Sequence, residues 1–460
     1  MTSTAVFQGA LRARVGSHVL RHATAPIQSS WPGTLRSQAV AAPGIAYLSQ
    51  PTHPVAFRLQ HPQYHQHTYQ CRRGFSSAVS ASAAAQNTAE APRWTLLDTV
   101  KGSALYAAMI AFVAVPIWIA QGFLALLGVT LGRKQFFKQK DRSSMTFSDP
   151  FPVEHKYLTV NGLRLHAVSA GHGRGKPLML CLHGFPELWF SWRRQLQEFH
   201  EDYEVVAIDM RGYGESDKPK DRRAYDLSEL TSDVSEVIKA LGHKECVLVA
   251  HDWGGFVAWF TAALYPAAVK QLIVMGLPHP TAWKVNLDFN QMRRSWYFMF
   301  FQCPWLPEFM LTAQDVALFD GCFRSGPIAP RTQGAVSNED IERYKKAFQE
   351  PGAPTAAINY YRALIDCATW HDCPPFRKAS KLLAEGCLSM PTLMLYADSD
   401  TALGTQLVKG TDRFVKDLEL HVLENCSHWV QQDKPEEVHK LMRGFLKRTE
   451  PAAAMSAVAA

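Results

Sequence analysis

An apolar run in Leu248-Val249-Ala250-His251-Asp252-Trp253-Gly254-Gly255 closes on an acidic residue, with small residues and a second apolar stretch directly after it. A strand running into a tight turn and then a helix presents a nucleophile in this way, in a small-x-nucleophile-x-Gly pattern. Ala250 takes the first small position and Asp252 the nucleophile's. Small residues are required because strand and helix approach closely around a strained turn. The helix N-terminus beyond it favours negative charge, which suits a carboxylate. An aspartate that merely caps an ordinary helix gives the same local pattern, so the reading rests on two further segments.

The first is Cys181-Leu182-His183-Gly184-Phe185-Pro186-Glu187, which follows an earlier apolar run. Its loop can aim the backbone N–H of Phe185 at an oxyanion, alongside that of Trp253. The second is Asn425-Cys426-Ser427-His428-Trp429, which places a histidine just after the apolar run Leu418–Leu423. Tyr396-Ala397-Asp398-Ser399-Asp400-Thr401 offers two acids at a strand end, Asp400 and Asp398, of which Asp400 is the choice. The chain order nucleophile, acid, histidine is that of a hydrolase triad.

With these segments, Asp209-Met210-Arg211-Gly212-Tyr213-Gly214-Glu215-Ser216-Asp217-Lys218-Pro219 and Ser427-His428-Trp429-Val430-Gln431-Gln432-Asp433-Lys434-Pro435, the chain resembles the α/β-hydrolase-fold epoxide hydrolases. The likeness is strongest to the membrane-anchored group with one N-terminal transmembrane helix, and it covers roughly residues 150–448. The resemblance implies that Asp252 opens an apolar epoxide, lipid or aromatic, to form an alkyl-enzyme ester. His428, oriented by Asp400, then activates water to release a vicinal diol. It also implies two tyrosines on the leaving oxygen. Tyr361 in Asn359-Tyr360-Tyr361-Arg362 matches one and Tyr297 in Ser295-Trp296-Tyr297-Phe298 the other, with Tyr360 adjacent to the first. Trp253, Trp296 and Phe298 are expected to touch substrate. The chemistry is self-consistent: an sp³ epoxide carbon must be displaced directly, and a carboxylate can do this and leave a cleavable ester. No metal or organic cofactor is required. Alternative readings are a haloalkane or haloacid dehalogenase, against which the tyrosine pair speaks, and a catalytically silent hydrolase-fold scaffold.

The elements that must position these residues follow from the pattern. Lys156–Val160 and Leu163–Val168 flank Asn161-Gly162, a two-residue hairpin signal. Apolar runs then recur at Leu178–Leu182, Val205–Ile208, Cys246–Ala250, Leu272–Met275 and Thr392–Tyr396, several separated by helical patterns such as Leu227–Leu241. This predicts an α/β fold, a mostly parallel sheet flanked by helices. Strand signals lapse between about 280 and 385, where Trp, Phe, Tyr and Pro are frequent, and a helical lid insertion is expected there. The hydrolase core is accordingly assigned to 143–279 and 386–449, the lid to 280–385 and a tail to 450–460.

The N-terminal third differs in kind. Residues 1–92 are rich in Ala, Ser, Gln, Pro and Arg, and residues 1–95 hold eight Arg, no Lys and one acid, Glu90. That composition fits a transit peptide for a mitochondrion or chloroplast, or otherwise a disordered extension. Residues 93–142 read as a membrane anchor. Gly102–Gly132 is uncharged and, as a helix, would reach roughly 45 Å against a hydrocarbon core of about 30 Å. Five basic residues within 133–142 place the following region on the cytosolic or organelle-equivalent side. Kinship with endoplasmic-reticulum enzymes offers a different organelle from the transit-like segment. The formal net charge of +7 comes from these segments, since 143–460 has 34 Lys+Arg against 38 Asp+Glu. Nothing calls for nucleic acid as a partner. Nine cysteines without C-x-x-C indicate neither a disulfide framework nor a zinc site. Oligomeric state is left open.

Overall fold

Asn161 and Gly162, with φ of 51° and 76°, turn the chain back on itself between two antiparallel strands, because a two-residue hairpin of this type needs positive φ at both positions. These are β1 (Glu154–Val160) and β2 (Leu163–Ala170). The computed structural model to which they belong describes residues 114–450 apart from 172–174, 370–372 and 387. The segment assigned to a transit peptide, the first part of the expected membrane span and the tail from 451 lie outside the described residues.

Six further strands complete the sheet: β3 (Leu178–Leu182), β4 (Glu204–Ile208), β5 (Cys246–His251), β6 (Val269–Met275), β7 (Thr392–Ala397) and β8 (Leu418–Leu423). Their order is β1-β2-β4-β3-β5-β6-β7-β8, with β1 and β2 antiparallel and all pairings from β4 to β8 parallel. The central strands β3, β5 and β7 are buried along their whole length, as expected for parallel strands covered on both faces. Their unbroken apolar runs therefore mark strands inside the sheet rather than at its edges.

Helices cover it. Among them α2 (Arg193–Phe199) precedes β4, α3 (Leu227–Ala240) precedes β5, and α4 (Trp253–Leu264) follows it. The buried residues Leu227, Leu230, Thr231, Val234, Val237 and Ile238 recur at helical spacing along α3, so one stripe faces the core and the other faces water. Between β6 and β7 the chain leaves the sheet, and the described residues there form eight α-helices: α5 (Pro280–Asn286), α6 (Phe289–Arg294), α7 (Tyr297–Phe300), α8 (Leu306–Val316), α9 (Leu318–Asp320), α10 (Asn338–Gln349), α11 (Ala353–Thr369) and α12 (Pro374–Ala384). After β8 come α13 (Val430–Asp433) and α14 (Pro435–Thr449).

The second part of the expected span is helix α1 (Val115–Phe136), with non-helical backbone at Gly132. Among the described residues no helix is long and apolar enough to cross a membrane. Instead one side of α1 packs on the insertion. Trp118 Nε1–H donates to the Met299 carbonyl at 2.8 Å, and the Phe136 ring lies 5.6 Å from that of Phe309. On other faces Ile119, Phe123 and Leu126 are exposed.

Candidate active site

Strand β5 delivers Asp252 at its C-terminal end in a backbone conformation that few residues tolerate, φ 48° and ψ −118°. Such strain persists where the surroundings enforce it and is concentrated at functional sites. The enforcement is visible at Gly254, where an added Cβ would lie 2.3 Å from the Leu182 carbonyl oxygen. The end of β3 therefore approaches the turn too closely for any side chain at that position.

The loop after β3 comes in from the other side. The Phe185 N–H donates to Asp252 Oδ1 at 2.8 Å, and a Cβ on Gly184 would lie 2.5 Å from that of Asp252. His428, after β8, places Nε2 at 3.5 Å from Asp252 Oδ2 and Nδ1 at 2.7 Å from Asp400 Oδ2. The other Asp400 oxygen accepts from the N–H groups of Ala402 and Leu403, at 2.7 and 2.9 Å. Asp398 has different work: its two oxygens accept from the N–H groups of Asn425 and Cys426, bracing the loop that carries His428.

Electrostatics follow from this geometry. Burial opposes a charged Asp252. The hydrogen bond and charge of His428, the charge of His251 and the Phe185 N–H outweigh it and hold the carboxyl below its ordinary range. Burial likewise opposes a charged His428, yet Asp400 and Asp252 carry the imidazole well above its ordinary value. Asp252 and His428 thus rest as an ion pair.

The opposite wall comes from the insertion. Tyr297, at the start of α7, and Tyr361, on α11, line one cavity of about 480 Å³ together with Asp252, His428, Asp400 and Phe185. Their rings are 5.8 Å apart. Burial, and then the nearby Asp252 charge among other groups, raises both phenols, so each keeps its proton far into the alkaline range. Tyr360 points elsewhere and donates to the Arg211 carbonyl at 2.8 Å.

Trp296 lines the cavity. Trp253 and Phe298, expected to touch substrate, are not among its lining residues. Both stand edge-on to the Tyr361 ring, each with centroids 4.9 Å away, so they support the tyrosine from behind. The cavity also takes in Leu311, Leu318, Cys322 and Ile328 from the insertion, which no motif marks in the sequence.

A second network had a signal in the quoted motifs but no role assigned to it. Glu187 is fully buried and takes His251 Nδ1 at 2.7 Å, Gln432 Nε2 at 2.8 Å, Gln431 Nε2 at 3.0 Å and the Gly184 N–H at 3.2 Å. His251 Nε2 lies 2.8 Å from the His428 carbonyl. The loops carrying Phe185, Asp252 and His428 are thereby joined through one buried pair.

Among the described residues, the side chains close enough to share a metal ion are Asp226, Cys367 and Cys373, with donor atoms within 4.8 Å of one another. None of them lines the cavity.

Over residues 177–435 the chain matches the family model described as alpha/beta hydrolase fold. It is 40% identical over 324 residues to epoxide hydrolase 4 of Homo sapiens, covering 69% of this chain and 86% of that one. To epoxide hydrolase 1 of Caenorhabditis elegans it is 37% identical over 328 residues, covering 71% and 78%. Among solved structures, an epoxide hydrolase of Bacillus megaterium in complex with an inhibitor matches with a TM-score of 0.56 at 32% identity, over 64% of this chain and 100% of that one. A mutant of the Bacillus megaterium enzyme has been solved with its product, (R)-3-[1]naphthyloxy-propane-1,2-diol, and matches equally well.

Proposed function

Because the chain belongs to the epoxide hydrolases of the α/β-hydrolase fold, we propose that its cavity converts an apolar epoxide to a vicinal diol in two steps. The observation that carries this is the placement of an ionised Asp252 on one wall of a cavity and two protonated tyrosines on the other.

In the first step Asp252 Oδ2 attacks an epoxide carbon. A C–O ester bond forms, the ring C–O bond breaks, and the leaving oxygen takes its proton from Tyr361 or Tyr297. Phenols suit this role because they hold the proton at neutral pH and share it with a developing alkoxide. Oδ1, held by the Phe185 N–H, becomes the ester carbonyl oxygen.

Ester formation consumes the charge on Asp252. One of the two anions raising the His428 pKa disappears, and the imidazole can pass its proton, by way of solvent, to the tyrosinate left by the first step and then serve as base. The resting ion pair thus keeps His428 from acting before the ester exists. It then takes a proton from water, whose oxygen attacks the ester carbonyl. The Phe185 and Trp253 N–H groups stabilise the oxyanion, a contribution of roughly 3–4 kcal/mol per donor. Collapse releases the diol, which keeps one Asp252 oxygen.

This sequence makes a labelling prediction. A single turnover in H₂¹⁸O leaves the diol unlabelled and adds one heavy oxygen to the peptide containing Asp252, read by mass spectrometry. Label in the diol would instead mean direct attack by water. A glycidyl naphthyl ether and a fatty-acid epoxide are suitable first substrates, given the naphthyloxy diol bound by the Bacillus megaterium relative. No diol, with halide release from a haloalkane, would move the chain to dehalogenation.

The same reading extends to location. Residues 102–132 attach the chain to a membrane, with the catalytic region on the cytosolic or organelle-equivalent side. Supporting this are the uncharged stretch of sequence and the exposed Ile119, Phe123 and Leu126 of α1. An apolar epoxide would then reach the cavity from lipid. Retention in the membrane pellet after alkaline carbonate washing, lost on deleting residues 1–132, tests the attachment. Imaging a fluorescent C-terminal fusion separates mitochondrion or chloroplast from endoplasmic reticulum.

A further inference from the structure

The basic residues that follow α1 include one that does not face water or lipid. The Arg142 side chain is 1% exposed and binds both oxygens of Asp315, at 2.6 and 2.8 Å, and Glu342 at 3.1 Å. Its neighbours reach the same place. The Lys140 N–H donates to Asp315 Oδ1 at 2.9 Å, and Gln139 Nε2 donates to the Thr312 carbonyl at 2.7 Å. Four bonds from residues 139–142 thus converge on the last turn of α8.

That turn is not helical. Gln314, Asp315 and Val316 have φ of 53°, 62° and 55°, three successive left-handed residues without a glycine among them. Val316 is β-branched and fully buried, which makes its conformation a rare one. Backbone of this kind persists only where the surroundings over-determine it. The bidentate hold of Arg142 on the central residue supplies such a constraint. The turn separates Leu311 on α8 from Leu318 on α9, and both line the cavity with Asp252, as do Cys322 and Ile328 further along.

We infer that Arg142 is a positioning residue for substrate choice: by gripping Asp315 it sets the left-handed turn at 314–316, and through Leu311 and Leu318 it fixes the size of epoxide substituent the cavity accepts. This rests on the reading of the cavity as an epoxide site. It makes the shape of that cavity depend on the arm leading back to α1, an element outside both the sheet and the insertion.

The test uses the full chain. Arg142→Gln should raise KM for a long-chain epoxide about tenfold, the scale on which apolar pockets discriminate. For a short epoxide such as propylene oxide, kcat and KM should stay within about twofold, as for a change confined to binding of the remote group. Adding Gln314→Gly and Asp315→Gly to Arg142→Gln should restore the long-chain KM, since glycine adopts positive φ unaided. Equal change for both substrates, or a defect that the glycines do not repair, overturns the inference and reduces Arg142 to a tie between arm and insertion. Should Arg142→Gln fail to fold, Arg142→Lys keeps the charge but loses the two-oxygen grip. Parent-like discrimination in that variant would also overturn it. Calorimetric binding of long and short 1,2-diols to Asp252→Ala, with and without Arg142→Gln, makes the same comparison without turnover. Absence of diol formation by the parent would then count against the reaction, and the clamp would stand or fall on binding.

Discussion

The two walls of the cavity are built by opposite means. On the core side, Asp252, Phe185, Asp400 and His428 sit at the ends of neighbouring parallel strands, each fixed by backbone hydrogen bonds or by a buried partner. On the insertion side, Tyr297, Tyr361, Leu311 and Leu318 come from helices, two of them only three or four residues long, joined by irregular backbone. A rigid sheet can hold reacting atoms at fixed spacing while the insertion changes what fits against them. Chemistry should therefore depend steeply on the core residues, and selectivity on the insertion.

The largest expected effect lies on the core wall. Asp252→Ala should lower diol formation by roughly 10⁴-fold or more, because it removes the carboxylate that forms the ester. Retention of a tenth of the activity would mean that water attacks directly, and the comparison would collapse. His428→Gln should separate the half-reactions, with about one equivalent of ester formed and turnover reduced by roughly 10³-fold. The ester on Asp252 should be visible in the intact mass. Asp400→Asn should follow in the same direction. Asp398→Asn should not, since its carboxylate braces a loop and does not meet the imidazole.

The pH dependence sharpens the contrast between the steps. Asp252 is held below the usual carboxylate range, so attack on the epoxide should persist as the medium is acidified. Hydrolysis needs neutral His428, and in the ester Asp400 still favours the charged imidazole although Asp252 no longer does, so hydrolysis should fail first on the acid side. The acid limb of kcat should accordingly lie at higher pH than that of kcat/KM when hydrolysis limits turnover. The raised tyrosine pKa values predict no loss of the proton donor on the alkaline side below about pH 10. The reverse order of the acid limbs would show that His428 is not the base.

Tyr361→Phe and Tyr297→Phe come next in size. Each single change should slow ester formation by roughly 10–100-fold, with the second phenol still donating, and the pair together by more than the product. A loss in only one variant would assign the proton to that tyrosine alone.

How much of this was legible divides along the same line. The hairpin at Asn161-Gly162 and the strand–turn–helix at Asp252 are written locally, because positive φ and close approach restrict residue type wherever they occur. The distinction between Tyr360 and Tyr361 is not local, since neighbours on one helix differ only in what they meet: the Arg211 carbonyl for one and the cavity for the other. Trp253 and Phe298 read from the sequence as substrate contacts, and in the structure both rings meet Tyr361 edge-on. Arg142 reads as one charge of a juxtamembrane cluster, and its partner Asp315 lies 173 positions away. The left-handed turn it grips contains no glycine or proline to announce it.

The smallest effect tests whether Phe298 belongs to the wall or to its backing. Its ring meets that of Tyr361 nearly perpendicular, at 88°, so Phe298→Leu keeps apolar volume but removes an aromatic edge contact worth about 0.5–1.5 kcal/mol. If Phe298 only steadies Tyr361, ester formation should slow by about threefold with KM unchanged, because a tilted phenol donates less well to the leaving oxygen while the cavity keeps its shape. If it touches substrate instead, KM should move and should move most for the bulkiest epoxide. The first outcome keeps selectivity with Leu311 and Leu318, on the turn that Arg142 holds. The second would extend the selective surface to α7 and place Tyr297 and Phe298, adjacent on one helix, in two different tasks.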